Sequence, residues 1–376
     1  MNTLIETPVR LFTSAKSWIE GEAARQLFAL ARLDGARLVA GFPDLHPGKG
    51  APVGSALVTD GLIYPHLIGG DIGCGLALFK TDLVRRDARL DRWAEFNFQL
   101  EHPWDGEVGG FLADHALAST DFDAALGTIG GGNHFAELQA VEQVLDAPRF
   151  RQLGLGKSAL LVLVHSGSRG LGESILRAHT RRHFGEGVAA DSFAAAEYLR
   201  GHDGAVRWAA ANRELIAYRF ARMLGADLER FWDGCHNSIT PRDSADGPVW
   251  IHRKGAVAAD GDCVVIPGSR GSLTYLVKPT GDGERHAWSL AHGAGRKWSR
   301  TDARNRMRER YRVSELTQTP LGGRVVCEER DLLYEEAPAA YKNIEAVIQD
   351  LVAAGLVSVI ATLRPLLTYK TRKMRR

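Results

Sequence analysis

Apolar residues recur at helical spacing in several parts of the chain. Between about Ser17 and Leu33 the pattern predicts an amphipathic helix whose apolar positions are Trp18, Ala23, Leu27, Leu30 and Leu33. A longer helix is predicted from Ala205 to Leu224. The stretch from Ala337 to Leu356 predicts a helix, which a short strand and a basic tail follow. The sequence of residues 291–312 predicts a strongly basic helix.

Other stretches favour strands. Residues 37–80 and 249–277 are rich in glycine, proline and β-branched residues, which predicts short strands joined by tight turns. Ala159 to Val164 is predicted to be a buried strand that ends in a loop of glycine and serine. Because strands and helices do not alternate strictly, we predict an α+β fold with curved, packed β-sheets surrounded by helices. No repeat or linker divides the sequence, so residues 1–376 are predicted to form a single domain.

Composition narrows the class of protein. The chain has 376 residues, of which 45% are hydrophobic and 24% charged, as in ordinary globular proteins. The net charge of +2 is too small to indicate nucleic-acid binding, so any basic surface must be local. Its four cysteines lie far apart, which argues against a disulfide framework. With no signal sequence and no apolar run of about 18 residues, we expect a cytoplasmic protein without a membrane span.

The heptapeptide GGDIGCG, residues 69–75, places Asp71 and Cys74 in permissive backbone. A carboxylate and a thiolate that converge on one point suggest a metal ion. The alternative is a turn at a strand end with a buried cysteine, which is the commoner use of that residue.

Further glycine-rich loops carry histidines, and loops at strand ends are where a rigid scaffold places its site. These histidines are His134, His165, His236, His252 and His292. Asp71 and Cys74 with the first three exceed the three or four protein ligands of one catalytic metal. A thiolate can bridge two ions, so a two-metal site suited to in-line phosphoryl transfer is plausible.

Seven motifs occur in a fixed order: GGDIGCG, GTIGGGNHF, HSGSRG, HN, HRKGA, PGSRGS and HGAGR. Together with the later EEAPAAYKNIEAVI and RPLLTYK, they resemble the RtcB family of RNA-splicing ligases. The resemblance runs from about Phe42 to Lys370 and implies an RtcB-like fold with the active site in a central cleft. Enzymes of that family join RNA ending in a 2′,3′-cyclic phosphate or 3′-phosphate to RNA with a 5′-hydroxyl. They use GTP and Mn²⁺, and a histidine carries GMP covalently.

The resemblance also implies a role for each matching residue. The metal ligands would be Asp71, Cys74, His134, His165 and His236, with Cys74 as the bridge between two Mn²⁺ ions. His292 matches the guanylated histidine, and Asp44 matches an acidic position near the metals. Guanylate contacts are implied for Asn133, Glu137, Asn237, Ser269, Thr274, Arg296, Tyr341 and Lys370. RNA or phosphate contacts are implied for Arg169, Arg296 and Arg300.

Some features depart from the family pattern. The usual GSMG is GSRG here, so Arg270 adds a charge beside the nucleotide loop, and Thr274 stands where serine is common. The chain is short, as in a bacterial subgroup found beside a release-factor-like protein. We therefore expect repair of cleaved RNA, with an activating or release-factor-like protein as a partner. Cysteine and histidine alone would suggest Zn²⁺, but the resemblance implies Mn²⁺, and availability can override ligand softness.

Two other functions fit part of the pattern. A dinuclear metallo-phosphoesterase acting on RNA ends needs the metal ligands but neither His292 nor Lys370. A non-catalytic sensor of RNA ends predicts loss of ligands or of the nucleophile, and this sequence keeps them. Separately, the segment from Arg296 to Arg312 carries eight basic residues. A solvated helix face is the usual role of such a run, but its start inside HGAGR favours contact with the RNA backbone.

Overall fold

The computed structural model of the protein describes residues 7–15 and 17–372. Its helices are α1 (Gly21–Leu30), α2 (Leu90–Ala94), α3 (Val108–Asp114), α4 (Ala147–Gln152), α5 (Gly170–His183), α6 (Phe193–Leu224), α7 (Arg300–Arg310), α8 (Val313–Leu316), α9 (Arg330–Glu335) and α10 (Ile344–Ala353). Its strands are β1 (Val9–Leu11), β2 (Ala36–His46), β3 (Val53–Thr59), β4 (Leu62–Ile63), β5 (Gly75–Val84), β6 (Phe135–Val144), β7 (Ala159–Ser166), β8 (Val188–Ala189), β9 (Leu228–Cys235), β10 (Asn237–Ser244), β11 (Gly247–Lys254), β12 (Ala256–Ala258), β13 (Val264–Pro267), β14 (Thr274–Pro279), β15 (Ser289–Ala291), β16 (Arg324–Cys327) and β17 (Val357–Thr371). The predicted α+β class is confirmed.

The helix bounds differ from those predicted. Helix α1 is shorter, so Trp18 and Leu33 lie outside it. Helix α6 is longer and begins after Ser192, whose hydroxyl accepts a hydrogen bond from the Ala195 amide. Glycines near its start weaken the sequence pattern there, and packing against the sheet overrides that weakness.

The C-terminal prediction was wrong in the length of the strand. Strand β17 has 15 residues, not a few, because it pairs with β6, β14 and β16 along its length. Pro365 has no amide hydrogen and so cannot donate to a β-ladder. The register of β17 against β6 shifts between Pro365 and Leu367. The basic helix α7 begins only at Arg300, since the HGAGR segment is a turn after β15. The end of the predicted basic tail, residues 373–376, lies outside the described residues.

The largest sheet has the strand order β13-β14-β17-β6-β7-β5-β9, with β16 beside β17. Helix α6 packs on one face, where Ile216 and Phe220 join a cluster with Val162 and Val164. The other face is filled mainly by the sheet's own side chains, among them Leu161. Because side chains from several strands of the sheet contact one another on this face, the sheet curls on itself, as predicted. Among the described residues, no helix is long and apolar enough to cross a bilayer.

A second sheet, in the order β1-β2-β3-β11-β10, packs against the first. One core cluster joins Phe42 of β2 and Ile251 of β11 to Val264 of β13 and Leu351 of α10. This shared core agrees with one domain, although the single-domain organisation stays a prediction.

The strand directions decide where the candidate ligands meet. The neighbours β6, β7, β5 and β9 are antiparallel, so the start of β6 and β5 and the end of β7 and β9 share one edge. His134 precedes β6, Cys74 precedes β5, His165 lies near the end of β7, and His236 follows β9. The register confirms this arrangement, because Phe135 pairs with His165 and Gly75 with Cys235.

A buried arginine of α6 fixes three of these strand ends. Arg213 has no exposed surface and binds both carboxylate oxygens of Asp233 at 2.7 and 2.8 Å. Its Nη1 also donates to the carbonyls of Gly73 at 2.8 Å and Ser166 at 3.0 Å. These carbonyls flank Cys74 and His165 in sequence, so the guanidinium fixes the backbone of both.

Arg213→Ala should destabilise the protein by about 3–5 kcal/mol, since it leaves Asp233 and two carbonyls without their buried partner. Arg213→Lys keeps the charge but not the planar fork, and should fold with weakened metal binding. The matched control is Arg230→Ala, because Arg230 is half-exposed and also lies near Asp233, at 3.8 Å. The control should cost about 0–1 kcal/mol. Urea unfolding measures each effect, and equal losses for Arg213→Ala and the control would contradict this account.

Candidate metal centre and nucleotide site

The heptapeptide forms a tight turn at the start of β5. Gly73 has φ of +77°, and a Cβ there would lie 2.9 Å from the Ala209 Cβ of α6, so only glycine fits without strain. The Cys74 amide donates to the Asp71 carbonyl at 3.1 Å, which closes the turn. Both side chains then reach His134: its Nε2 lies 3.3 Å from the Asp71 carboxylate and 3.5 Å from the Cys74 sulfur.

A second group of ligand atoms shares the same sulfur. Cys74 Sγ lies 3.4 Å from Nε2 of His165, and that nitrogen lies 3.1 Å from Nε2 of His236. Within each group, Asp71–Cys74–His134 and Cys74–His165–His236, all ligand atoms lie within 4.8 Å of one another. The structure thus brings together all five residues predicted as ligands, with Cys74 common to both groups.

Backbone carbonyls orient two of the imidazoles. Nδ1 of His134 contacts the Ile129 carbonyl at 3.0 Å, and Nδ1 of His165 contacts the Asn133 carbonyl at 3.3 Å. A carbonyl can only accept, so each Nδ1 carries the hydrogen and each Nε2 presents a lone pair to the cluster. Nδ1 of His236 is buried and has no hydrogen-bond partner among the described residues.

The protonation states suit metal binding. Burial and the neighbouring histidines hold the pKa of His165 and of His236 well below its ordinary value, so both rings are neutral. Burial, and then Asp71, raises the pKa of the Cys74 thiol well above its ordinary value. A cation reverses that effect, because it favours the thiolate. Ligands about 2.1 Å from one ion in tetrahedral geometry lie about 3.4 Å apart, close to the separations observed here.

His292 lies directly beside this cluster. Its ring stacks on His236, with centroids 4.6 Å apart and planes inclined by 16°. Nδ1 of His292 donates to the wholly buried carboxylate of Asp44 at 2.6 Å, which leaves Nε2 free. Gly295 has φ of +71°, and a Cβ there would lie 2.1 Å from the Asp44 carbonyl, so the turn after His292 requires glycine. Asp44, whose role the sequence left open, therefore orients the predicted nucleophile.

A cavity of about 280 Å³ opens over His292 and the cluster. Its wall includes most of the predicted nucleotide and RNA contacts, namely Asn133, Glu137, Asn237, Ser269, Arg296, Arg300, Tyr341 and Lys370. Thr274 is not part of this wall: it is buried, and its hydroxyl accepts from Gln139 at 3.0 Å. Direct contact between Thr274 and a nucleotide is therefore not supported by this geometry.

Two buried acids, Glu137 and Glu336, also line the cavity. Burial raises the pKa of Glu137 to about 7. Its carboxylate accepts from Gln139 at 2.7 Å and from the Thr368 hydroxyl. Glu336, which the sequence analysis missed, binds Arg296 at 2.9 Å and lies 3.9 Å from Lys370. Its position directly after another glutamate, at the end of α9, gave no local signal of this role.

Several residues that are predicted to contact the nucleotide already form hydrogen bonds within the protein. Each guanidinium nitrogen of Arg296 already has an acceptor. These acceptors are Glu336, Tyr341 and the carbonyls of Glu335 and Trp298. Asn237 bridges two backbone groups: its amide donates to the Asp71 carbonyl at 3.2 Å and its oxygen accepts from Gly255 at 2.9 Å. Ser269 bonds to Ser272 within its own turn. These residues hold the walls of the cavity whether or not they also touch a ligand.

Among the predicted RNA contacts, Arg300 lines the cavity and Arg169 does not. Arg169 contacts the Thr128 hydroxyl at 3.3 Å instead. In the basic helix α7, Arg304 and Arg308 both pair with Asp331 of α9. That pairing reduces the charge available to RNA, and the backbone contact of this helix stays a prediction.

Arg270, at which the sequence departs from the family motif, is buried rather than exposed. Its Nη2 donates to the Leu333 carbonyl at 2.8 Å, whereas its Nη1 is buried without a partner. Burial lowers the pKa of this guanidinium. Its charge therefore lies within the wall near Glu137 and Glu336, which partly offset it.

Comparisons with known proteins agree with the motifs. The model of the RtcB family, described as tRNA-splicing ligase RtcB, matches residues 26–103 and 105–371. The chain belongs to the RtcB family. It is 44% identical over 365 residues to RNA-splicing ligase RtcB2 of Escherichia coli, which covers 96% of this chain and 95% of that protein. It is also similar to RNA-splicing ligase RtcB of Mycobacterium tuberculosis, with 29% identity over 86% of this chain and 94% of that protein. Another relative is tRNA-splicing ligase RtcB of Pyrobaculum aerophilum, 28% identical over 86% of each chain.

Membership of the RtcB family confirms the resemblance inferred from the seven motifs. The match also extends beyond those motifs, from the second half of α1 to the end of β17. The roles assigned to individual residues stay predictions, because family membership alone does not test them.

Cys74→Ala should abolish paired metal binding, since it removes the one atom common to both ligand groups. In the unaltered protein Mn²⁺ must displace the thiol proton, so affinity should rise with pH and protons should be released. Titration calorimetry in buffers of different ionisation enthalpy measures both quantities. The control is Cys263→Ala, because Cys263 is buried in the core away from the cluster. Two bound ions and undiminished proton release in Cys74→Ala would show that the sulfur does not bridge.

Proposed function

We propose that the protein is a cytoplasmic RNA ligase of the RtcB type that uses GTP and two Mn²⁺ ions. It joins RNA with a 2′,3′-cyclic phosphate or 3′-phosphate end to RNA with a 5′-hydroxyl end. The observation that carries the proposal is the placement of His292, which stacks on a metal-cluster histidine and is oriented by a buried carboxylate. The proposed role is the repair of cleaved RNA, with an activating or release-factor-like protein as a partner.

The Asp44–His292 pair supports a role as nucleophile. The carboxylate fixes the hydrogen on Nδ1, so Nε2 carries the lone pair that attacks phosphorus. In the proposed first step, Nε2 bonds to the α-phosphorus of GTP, the bond between that phosphorus and the bridging oxygen breaks, and pyrophosphate leaves. The resulting adduct is a phosphoramidate between His292 and GMP.

The remaining steps transfer GMP and then release it. Water first opens a cyclic phosphate to a 3′-phosphate. The 3′-phosphate then attacks the His292 adduct, which frees the imidazole and activates the RNA end with GMP. Finally the 5′-hydroxyl attacks the activated phosphorus, so that a phosphodiester forms and GMP leaves. When bound at Asp71, Cys74, His134, His165 and His236, metal ions would supply charge neutralisation at phosphate oxygens.

The polar end of the cavity fits the nucleotide. Glu137 and Lys370 lie on the paired strands β6 and β17, where Thr368 is the partner of Glu137. A carboxylate that accepts and an ammonium that donates can recognise opposite edges of a base. We propose that both contact guanine, and that Tyr341, Arg296 and Glu336 hold the wall behind it. Asn133, Arg300 and Arg169 are proposed to position phosphates, with Arg169 acting from outside the cavity wall.

His292→Ala should lose all covalent label when the protein is incubated with α-labelled GTP and Mn²⁺. It should still join RNA whose 3′ end already carries GMP, because that step needs no nucleophilic histidine. Asp44→Asn should slow labelling by about 10²–10⁴-fold, as loss of an orienting carboxylate does in other His-dependent enzymes. The matched control is His102→Ala, since His102 is not part of the cavity wall.

Peptide mapping locates the labelled residue, and the adduct should be labile to acid and stable to alkali. Label on a lysine, or persistent label in His292→Ala, would overturn the assignment of the nucleophile. RNA-end hydrolysis without any GTP-dependent label would favour the dinuclear phosphoesterase instead.

A further inference from the structure

A second cavity, of about 240 Å³, lies behind the wall of the first. It is formed by the segment before α1, by Pro43, by the two residues after Arg296 and by the start of α10. Its lining residues include Trp18, Pro43, Lys297, Trp298, Lys342 and Asp350. Nothing in the proposed ligation steps uses this cavity.

The two cavities share three segments of chain. Pro43, which lines the second cavity, directly precedes Asp44, which orients His292. Likewise Arg296 and Tyr341 line the first cavity, whereas the adjacent Lys297 and Lys342 line the second. The residues that support His292 and the residues that line the second cavity are therefore parts of one wall.

Trp18 is exposed, and it lies beside two residues that are held by hydrogen bonds. It lies outside α1, and 53% of its surface is accessible. The adjacent Ser17 hydroxyl bonds to the Asp350 carboxylate, and Lys342 Nζ lies 5.9 Å from the indole centroid. Lys342 is itself fixed by the carbonyls of Pro43 at 2.9 Å and Leu45 at 2.7 Å. An exposed indole on a fixed support is a ready surface for stacking a planar ligand.

Apolar residues such as Ala346 and Val347 line part of the cavity, and cationic groups lie beside its second tryptophan. Trp298 is half-buried, and the guanidinium of Arg306 lies 5.0 Å from its ring centroid. Lys297 is exposed, and its ammonium makes no hydrogen bond or ion pair with any of the residues that the structure describes. The cavity's one acid, Asp350, is occupied by Ser17. Aromatic surface beside a free cation matches a nucleobase and its phosphate better than it matches an apolar peptide segment.

We propose that this cavity binds an unpaired base of the RNA substrate by stacking on Trp18, while Lys297 pairs with the adjoining phosphate. The proposal deepens the proposed function and rests on it for the identity of the polymer. It assigns a binding site away from the reacting ends, where stacking recognises any base and so does not depend on sequence.

The test compares RNAs of increasing length, each with a 3′-phosphate, in equilibrium binding at one salt concentration. Trp18→Ala should weaken binding of the longer RNAs by about 5- to 150-fold, the range that one stacked base contributes. A dinucleotide too short to reach from the catalytic cavity should be unaffected. Trp18→Phe should restore most of the affinity, because phenylalanine keeps a face for stacking. Lys297→Glu should weaken the same long RNAs and flatten their salt dependence.

The matched control is Phe28→Ala, since Phe28 is 56% exposed on α1 and is not part of the cavity. Covalent labelling by GTP should be unchanged in Trp18→Ala. If the unaltered protein takes no label, the ligase mechanism fails, while the length-dependent loss still tests the RNA site. Equal RNA affinity in Trp18→Ala, Lys297→Glu and the unaltered protein overturns the proposal. Binding of an apolar peptide to the cavity, with RNA affinity unchanged, would likewise overturn it in favour of a docking site for a protein.

Discussion

The buried guanidinium of Arg213 is the constraint on which the candidate metal centre depends. It binds Asp233 of β9 and the carbonyls beside Cys74 and His165, so one side chain of α6 fixes three strand ends at once. A buried charge is costly unless every donor is used, and here each nitrogen of the fork has an acceptor. The adjacent Asn212 binds Ser166 and Gly167 in the same way. A helix buried against the sheet thus sets the positions of the ligands.

The predicted nucleophile, His292, is also oriented by a buried charged group, although that group has the opposite charge. Asp44 is wholly buried and holds His292 through both the ring and the backbone amide. The His292 ring stacks on His236, so the predicted nucleophile lies directly beside the candidate metal ligands. Glu336, which is buried in the wall of the cavity, organises Arg296, Tyr341 and Lys370. The buried carboxylates of Asp44 and Glu336 therefore limit the movement of the side chains that they bind.

The sequence predicted five candidate ligands that the structure does bring together, because each lies in or next to a loop at the end of a strand. Their role as ligands stays a prediction. The sequence could not predict their supports. Arg213 and Glu336 resemble ordinary helix residues, since their partners are distant in sequence and only the fold brings them together. Trp18 matched a helical pattern but lies outside α1, where its neighbour Ser17 bonds to Asp350 of α10. Thr274 lies two residues after the PGSRGS motif, yet its hydroxyl accepts from Gln139 and it is not part of the cavity wall.

The central claim is that two metal ions share the sulfur of Cys74 beside His292. X-ray diffraction from crystals soaked in Mn²⁺, recorded at a wavelength where manganese scatters anomalously, tests it most directly. The account predicts two anomalous peaks within about 4 Å of each other, the usual spacing of two-metal sites. One peak should contact Asp71 and His134, the other His165 and His236, and both should contact Cys74. A single peak, or two peaks without Cys74 between them, would contradict the account.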